Sequence, residues 1–105
     1  MNVTNRGAIS NVVPEAAVEL FTVVDEYGYH PVQFGPLPTG IAGICNLAAT
    51  VQDLTGEAAM KGDRKLALQA LLMDPNVYSL EIDVVSKMLD EMLITQRVWL
   101  PRFFN

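Results

Sequence analysis

Three side-chain groups in this sequence have the chemistry for a reactive site. His30, the single histidine, stands in the stretch "EYGYHPVQFGPLP" between Tyr29 and Pro31. An imidazole serves as a metal ligand or a general base only where partners converge on it. No second histidine exists, and no paired carboxylate at a recognisable spacing lies near His30. The expected role is structural: a bond to a backbone carbonyl at a hairpin bend. Cys45, the single cysteine, permits neither an internal disulfide nor a cysteine-based zinc site. Its spacing from Ile41 and Ala48 sets it on an apolar helical face, the place of a core or interface thiol. The cluster Asp63-Arg64-Lys65 is able to bind an anion at a helix start, where free amides also point. Capping plus solvated charge explains the same residues and is the ordinary outcome. A fourth segment, Asn5-Arg6-Gly7, has the composition of a tight turn with a surface arginine.

The elements that must position these residues follow from period and punctuation. In "AAVELFTVVDEYG" the residues Val18, Phe21, Val23 and Val24 predict a strand that ends in a polar turn at Asp25–Gly28. "YHPVQFG" returns as a second extended piece, with Pro31 driving His30 toward β geometry, so the two form a hairpin. Upstream, "VTNRGAISNVV" is a short strand or turn segment able to pair with that hairpin in a small antiparallel sheet. After "GPLPTG" the period changes. Ile41, Ile44, Cys45, Ala48, Val51 and Leu54 recur at intervals of three and four, which predicts a helix starting near Pro38. Gly40, Gly43 and Gly56 within it each cost roughly 0.5–1 kcal/mol relative to alanine, and close backbone contact with a neighbour is the expected reason for them.

Gly62 is placed to end that helix in a left-handed cap, and Asp63 to cap the next. The second helix is expected to bury Leu66, Ala67, Ala70 and Leu71 and to stop before Pro75. Ser79 is the expected cap of a third helix, with Glu81 and Asp83 in its first turn and a stripe of Val85, Met88, Leu89, Met92 and Leu93. Trp99, Phe103 and Phe104 in the tail call for a surface to dock on.

At 105 residues the chain is one domain's worth, and it is read as a single domain over 1–105. Half of the residues are hydrophobic and 18% are charged, which argues against disorder and for an apolar surplus covered by another subunit or domain. The net charge of −5, with basic residues scattered, opposes phosphate backbones and anionic lipid, so neither nucleic acid nor membrane is an expected partner. No secretory signal pattern and no membrane-span-length apolar run are present, and a cytoplasmic location is expected.

The segments "NRGAIS", "AAVELFTVVDEYGYHPVQFGPLP", "LTGEAAMKGDRKLALQALLMDPNV" and "WLPRF", in this order and spacing, resemble the C-terminal portion of family 4 glycoside hydrolases. These are bacterial 6-phospho-α-glucosidases, α-galactosidases and α-glucuronidases. The chain departs from the family pattern at Pro14, which the family places one position earlier, and at Gly56, where it usually has a larger residue. The resemblance implies an α+β fold: a small antiparallel β portion followed by three helices, similar to the C-terminal domain of lactate and malate dehydrogenases. For full-length members it implies NAD and manganese, an N-terminal dinucleotide-binding domain, a cysteine and a histidine on the metal, and a tyrosine base. No glycine-rich loop opening a helix after a strand occurs here.

No catalytic, cofactor-binding or metal-ligating residue is therefore assigned in this chain, and NAD and Mn are expected outside it. The resemblance implies a wall of the substrate cleft and oligomer contacts. Asn5, Arg6 and His30 are the candidates for the cleft edge, with Arg6 able to grip a phosphate or carboxylate bidentately. The chain is expected to be a truncated or isolated domain, inactive alone, that associates with itself or with a separate N-terminal NAD-binding chain. The alternative is an independent oligomerising scaffold without sugar chemistry.

Overall fold

The computed structural model describes residues 1–105, whose contacts divide into two compact units, Met1–Ala49 and Thr50–Asn105. The β portion lies in the first unit and helices follow, as the sequence implies.

In the first unit, β1 (Asn2–Thr4) pairs antiparallel with β2 (Ala17–Glu19), with Val3 opposite Val18. Strand β3 (Thr22–Asp25) pairs with β4 (Gly28–Pro31), with Asp25 opposite Gly28. The hairpin turn is held by the Tyr27 amide, which donates to Asp25 Oδ1 at 2.8 Å, and by Gly28, whose φ of +129° suits glycine. Where one sheet and one long strand were expected, there are two two-stranded sheets, and the predicted strand breaks at Leu20. Leu20 is buried, and its carbonyl accepts from the Met1 ammonium at 2.7 Å and from Thr22 Oγ1 at 3.1 Å. Sinking this side chain into the core takes the chain out of the first ladder before the second begins.

The core of this unit is Ala8, Ile9, Val12, Ala16, Leu20 and Ala49, with Val3, Val18, Leu37 and Cys45 packed against it. Helix α1 (Thr39–Lys61) begins within this unit and ends in the second. Its buried face differs from the predicted one. Ala42 and Ala49 are buried and Cys45 is half-buried, whereas Ile41, Ile44 and Ala48 are exposed. Small residues seat the helix on the loop core, and the larger ones one step round the helix are left outside. Two asparagines tie that loop down. Asn11 exchanges two bonds with the Leu37 backbone, at 2.8 and 2.9 Å, and Asn46 accepts from the Val13 amide and donates to the Asn11 carbonyl.

In the second unit, Gly62 takes φ +69° and the Asp63 amide donates to the Ala58 carbonyl, closing α1 with the six-to-one bond of a Schellman motif. Asp63 then caps α2 (Arg64–Met73), its Oδ1 accepting from the Lys65 and Leu66 amides. Capping is thus what the Asp63 carboxylate does, and Arg64 turns to Asp90 and Ser86, bonding Asp90 Oδ1 at 2.6 Å and Ser86 Oγ at 2.8 Å. Helix α2 stops before a 3-10 turn at Pro75–Val77.

Helix α3 (Ile82–Thr95) starts two residues later than a Ser79 cap requires. Glu81 is its N-cap without a side-chain bond, because the 3-10 turn and the following turns occupy the backbone through Leu80. Asp83 alone supplies first-turn acidity. The apolar stripe stands: Val85 is fully buried, Leu89 and Leu93 are buried, and Met88 is half-buried, while Met92 is largely exposed. In the tail, Arg102 Nη1 donates to the Met60 carbonyl at 2.8 Å, and Arg97 lies 4.8 Å from the centre of the Phe104 ring. Trp99 docks on nothing in this chain and is 83% exposed. No helix is long and apolar enough to cross a membrane.

The expected close approach at the α1 glycines is absent within the chain: a Cβ on Gly40, Gly43 or Gly56 would meet nothing within 4 Å. At Gly62 it would sit 2.1 Å from the Arg102 carbonyl oxygen, on a φ unsuited to side chains. Opposite signs follow. Gly56→Ala should stabilise the protein by roughly 0.5–1 kcal/mol through helix propensity, and Gly62→Ala should destabilise it by about 1–3 kcal/mol or more, both read by urea denaturation. A second measurement concerns acid. The hydrogen bond from Arg64 holds the Asp90 carboxyl below its ordinary range. A carboxyl lowered by folding contributes stability at pH above its unfolded value and loses it as pH falls through the lower folded value. Asp90→Asn should therefore be less stable than the parent at neutral pH, with the difference closing in acid.

Candidate functional site

One concavity in the first unit is built on the turn Asn5–Ala8. The Ala8 amide donates to the Asn5 carbonyl at 2.9 Å, and the two central residues both take positive φ, +46° at Arg6 and +85° at Gly7. That pairing of signs is the type I′ pattern, which favours asparagine and glycine. Arginine there carries a backbone cost of about 1–2 kcal/mol. The turn tolerates it because its flanks are fixed. Asn5 is 1% exposed, and its Nδ2 donates to the carbonyls of Ile9, Val12 and Val13 at 3.0, 2.8 and 3.2 Å while its Oδ1 accepts from the Ile9 amide at 2.7 Å. The Arg6 amide donates across the loop to the Pro14 carbonyl at 2.8 Å.

Asn5 and Arg6 line a cleft of about 310 Å³ together with Thr4, Tyr29 and Gln33 and the apolar Val3, Ala8 and Pro31. Arg6 is its only cation, and no carboxylate lines it. The ion pairs of the chain are His30–Asp25, Lys61–Glu57 and Arg64–Asp90, so the Arg6 guanidinium is not neutralised by a neighbour. An uncompensated guanidinium beside hydroxyl and amide donors suits an oxyanion.

Of the three residues expected at one edge, the fold brings Asn5 and Arg6 together and leaves His30 elsewhere. Tyr29 and Pro31 line the cleft, and His30 lies between them on β4, where the pleat sends successive side chains to opposite faces. His30 Nε2 is 3.1 Å from Asp25 Oδ1, across the hairpin that both residues close. Its bond goes to that carboxylate rather than to a backbone carbonyl. Tyr29 and Gln33 are the cleft residues that sequence reasoning missed. The only signal for them was their odd-numbered phase with Pro31 on an extended segment.

A second cavity, about 330 Å³, lies among the helices of the second unit, lined by Ala58, Ala67, Ala70, Leu89, Leu93 and Phe103 among others. It is an apolar groove with Thr55, Asp74 and Gln96 as its polar groups, and it holds no nucleophile paired with a base. Nowhere do three His, Cys, Asp or Glu side chains converge as metal ligands would, so the donors of this chain do not fit a manganese site of their own.

Residues 1–77 match the Family 4 glycosyl hydrolase C-terminal domain. The whole chain aligns at 37% identity with 23% of the "Probable 6-phospho-beta-glucosidase" of Bacillus subtilis (strain 168). Among solved structures, a 6-phospho-alpha-glucosidase from gut microorganisms in complex with NAD and glucose-6-phosphate superposes on 95% of this chain with a TM-score of 0.86 and 30% identity, over 22% of its own length. Another 6-phospho-alpha-glucosidase from gut microorganisms, in complex with NAD and Mn2+, superposes on 91% of this chain at a TM-score of 0.83 and 23% identity, again over 22% of its length. The chain thus spans less than a quarter of the proteins it matches. Sequence match and fold agree over nearly its full extent, and the chain belongs to the family 4 glycosyl hydrolases as their C-terminal domain.

Proposed function

We propose that this domain acts in hydrolysis of O-glycosyl bonds by forming one edge of the substrate cleft, through the Asn5–Gly7 turn, and by supplying contacts to the rest of the enzyme. The observation that carries this reading is the superposition, at 30% identity, on a 6-phospho-alpha-glucosidase complexed with NAD and glucose-6-phosphate. In this reading NAD and manganese sit outside the domain, in the remaining three-quarters of a family 4 enzyme, and this chain holds neither. What its own residues contribute is shape and charge. The Asn5 amide fixes the turn, and the turn presents an unpaired arginine at the rim of a cleft.

The contact role is supported by surface that one small unit leaves bare. Phe21, Val23, Val24, Tyr27, Val32 and Phe34 are all more than half or nearly half exposed on and beside the β3–β4 hairpin. A two-stranded hairpin alone in water is marginally stable, and cover over these side chains would stabilise it. A self-associating scaffold without sugar chemistry would use the same surface, so activity is the discriminating measurement.

The test mixes this chain with the N-terminal portion of a family 4 glycosidase lacking its own C-terminal domain, in the presence of NAD and Mn2+, and follows release of an activated 6-phosphoglucoside. Activity is expected in the mixture and in neither part alone. Turnover by this chain alone, with contaminating enzyme excluded, would overturn the reading, and so would a mixture that forms a complex without turnover.

A further inference from the structure

We propose that Met60 is a site of methionine oxidation by peroxides, and that its sulfoxide tightens the hold of Arg102 on the end of helix α1. Three observations meet at this place. Met60 is 69% exposed, against 54% for Met1 and 45% for Met92, and Met73 and Met88 are half-buried, so its sulfur is the most open to a small oxidant. Arg102 Nη1 lies 3.7 Å from Met60 Sδ, and the same nitrogen donates to the Met60 carbonyl at 2.8 Å. A thioether is a weak acceptor, and Arg102 enters none of the ion pairs of the chain, so this guanidinium has no strong side-chain partner. Its place beside the sulfur is fixed independently, since the Arg102 carbonyl packs against Gly62 where any side chain would stand.

In the step itself, a lone pair of the Met60 sulfur attacks the terminal oxygen of a hydroperoxide and the O–O bond breaks. The other oxygen leaves with the bonding electrons, takes the proton of the transferred oxygen and ends as water or an alcohol. Sulfur is oxidised by two electrons and the peroxide is reduced by two. The product oxygen carries partial negative charge and accepts hydrogen bonds, so beside a guanidinium it gains a charge-assisted bond that the thioether cannot make. Methionine oxidation ordinarily loosens a protein by placing a polar group in apolar packing. Here the sulfur lies in solvent next to a donor, which reverses the sign. The consequence reaches the groove of the second unit, because Leu100 and Phe103 in the tail form part of its wall.

The experiment treats the 15N-labelled 105-residue chain with a limiting amount of hydrogen peroxide and locates the sulfoxides by peptide mass spectrometry. Met60 is expected to be modified ahead of Met1 and Met92. Amide hydrogen exchange is then followed in the tail, where the Phe103 amide donates to the Leu100 carbonyl at 3.2 Å. With Met60 oxidised, exchange at Phe103 should slow by roughly tenfold, the factor one charge-assisted hydrogen bond supplies. Methionine sulfoxide reductases should restore the original rate. Met60→Leu, at an exposed position, should keep the fold and lose the response to peroxide. Arg102→Leu should still be oxidised at Met60 but show no slowing. Oxidation of Met1 or Met92 before Met60 would overturn the proposal. So would unchanged or faster exchange once Met60 carries its oxygen, or the same response to peroxide in either variant. No turnover is measured, so this inference and the cleft-edge reading stand or fall separately.

Discussion

The first unit depends on a single buried amide. Asn5 has no access to water, and every polar atom of its side chain is engaged with the backbone of the loop it faces. A buried loop ordinarily carries carbonyls and amides with no partner, each costing about 1–3 kcal/mol. Here one side chain bonds four such groups, of which the Ile9 and Val13 carbonyls also accept backbone amides, and Ile9 and Val12 enter the core from irregular backbone. No buried side-chain polar atom in the chain is left unpartnered. Because the loop is fixed in this way, the neighbouring turn can hold Arg6 in a conformation that the residue would not choose alone.

The second unit rests on different physics. Its helices are joined at Gly62-Asp63, where one residue ends α1 and the next begins α2 with no linker between them. The junction is filled by backbone: the Arg102 carbonyl lies where any side chain at 62 would be, and the Arg102 guanidinium bonds the Met60 carbonyl left open by the helix end. The tail is anchored by that arginine and by Phe103, half-buried along the helical groove, whereas Trp99 and Val98 remain in solvent. Core packing in this unit comes from small residues of α1 and α2, Ala58 and Ala70, against the stripe of α3. Such packing leaves a shallow apolar groove without reactive groups.

Polar and apolar surface are separated within the first unit. The hairpin and the α1 face of Ile41 and Ile44 expose bulky apolar side chains, whereas the Asn5–Ala8 cleft is rimmed by donors and a cation. Covering the first kind of surface removes apolar area from water at roughly 25 cal/mol per Å². The two kinds of surface lie on separate parts of the same β segment, since Tyr29 lines the cleft while Val23 and Val24 on the paired strand do not.

The sequence alone determined the element types, the helix junction and the family. Gly62-Asp63 is legible because a left-handed cap followed by an N-cap carboxylate is local chemistry, fixed within a few residues. The stripe Val85–Leu89–Leu93 is legible because helical period and burial coincide when a helix has one dominant neighbour. The α1 face was misread for the converse reason. Hydropathy selects the bulky Ile41 and Ile44, but the helix seats Ala42 and Ala49, since closeness of approach and not side-chain size decides which face is covered. The cleft was half legible. Asn5 and Arg6 are adjacent in the chain, so any turn there presents them together. Tyr29 joins them, and His30 turns away to Asp25, only because the tertiary structure brings β4 beside the turn in one pleat phase. A one-residue change of phase exchanges those two side chains, and no local signal in the sequence sets it.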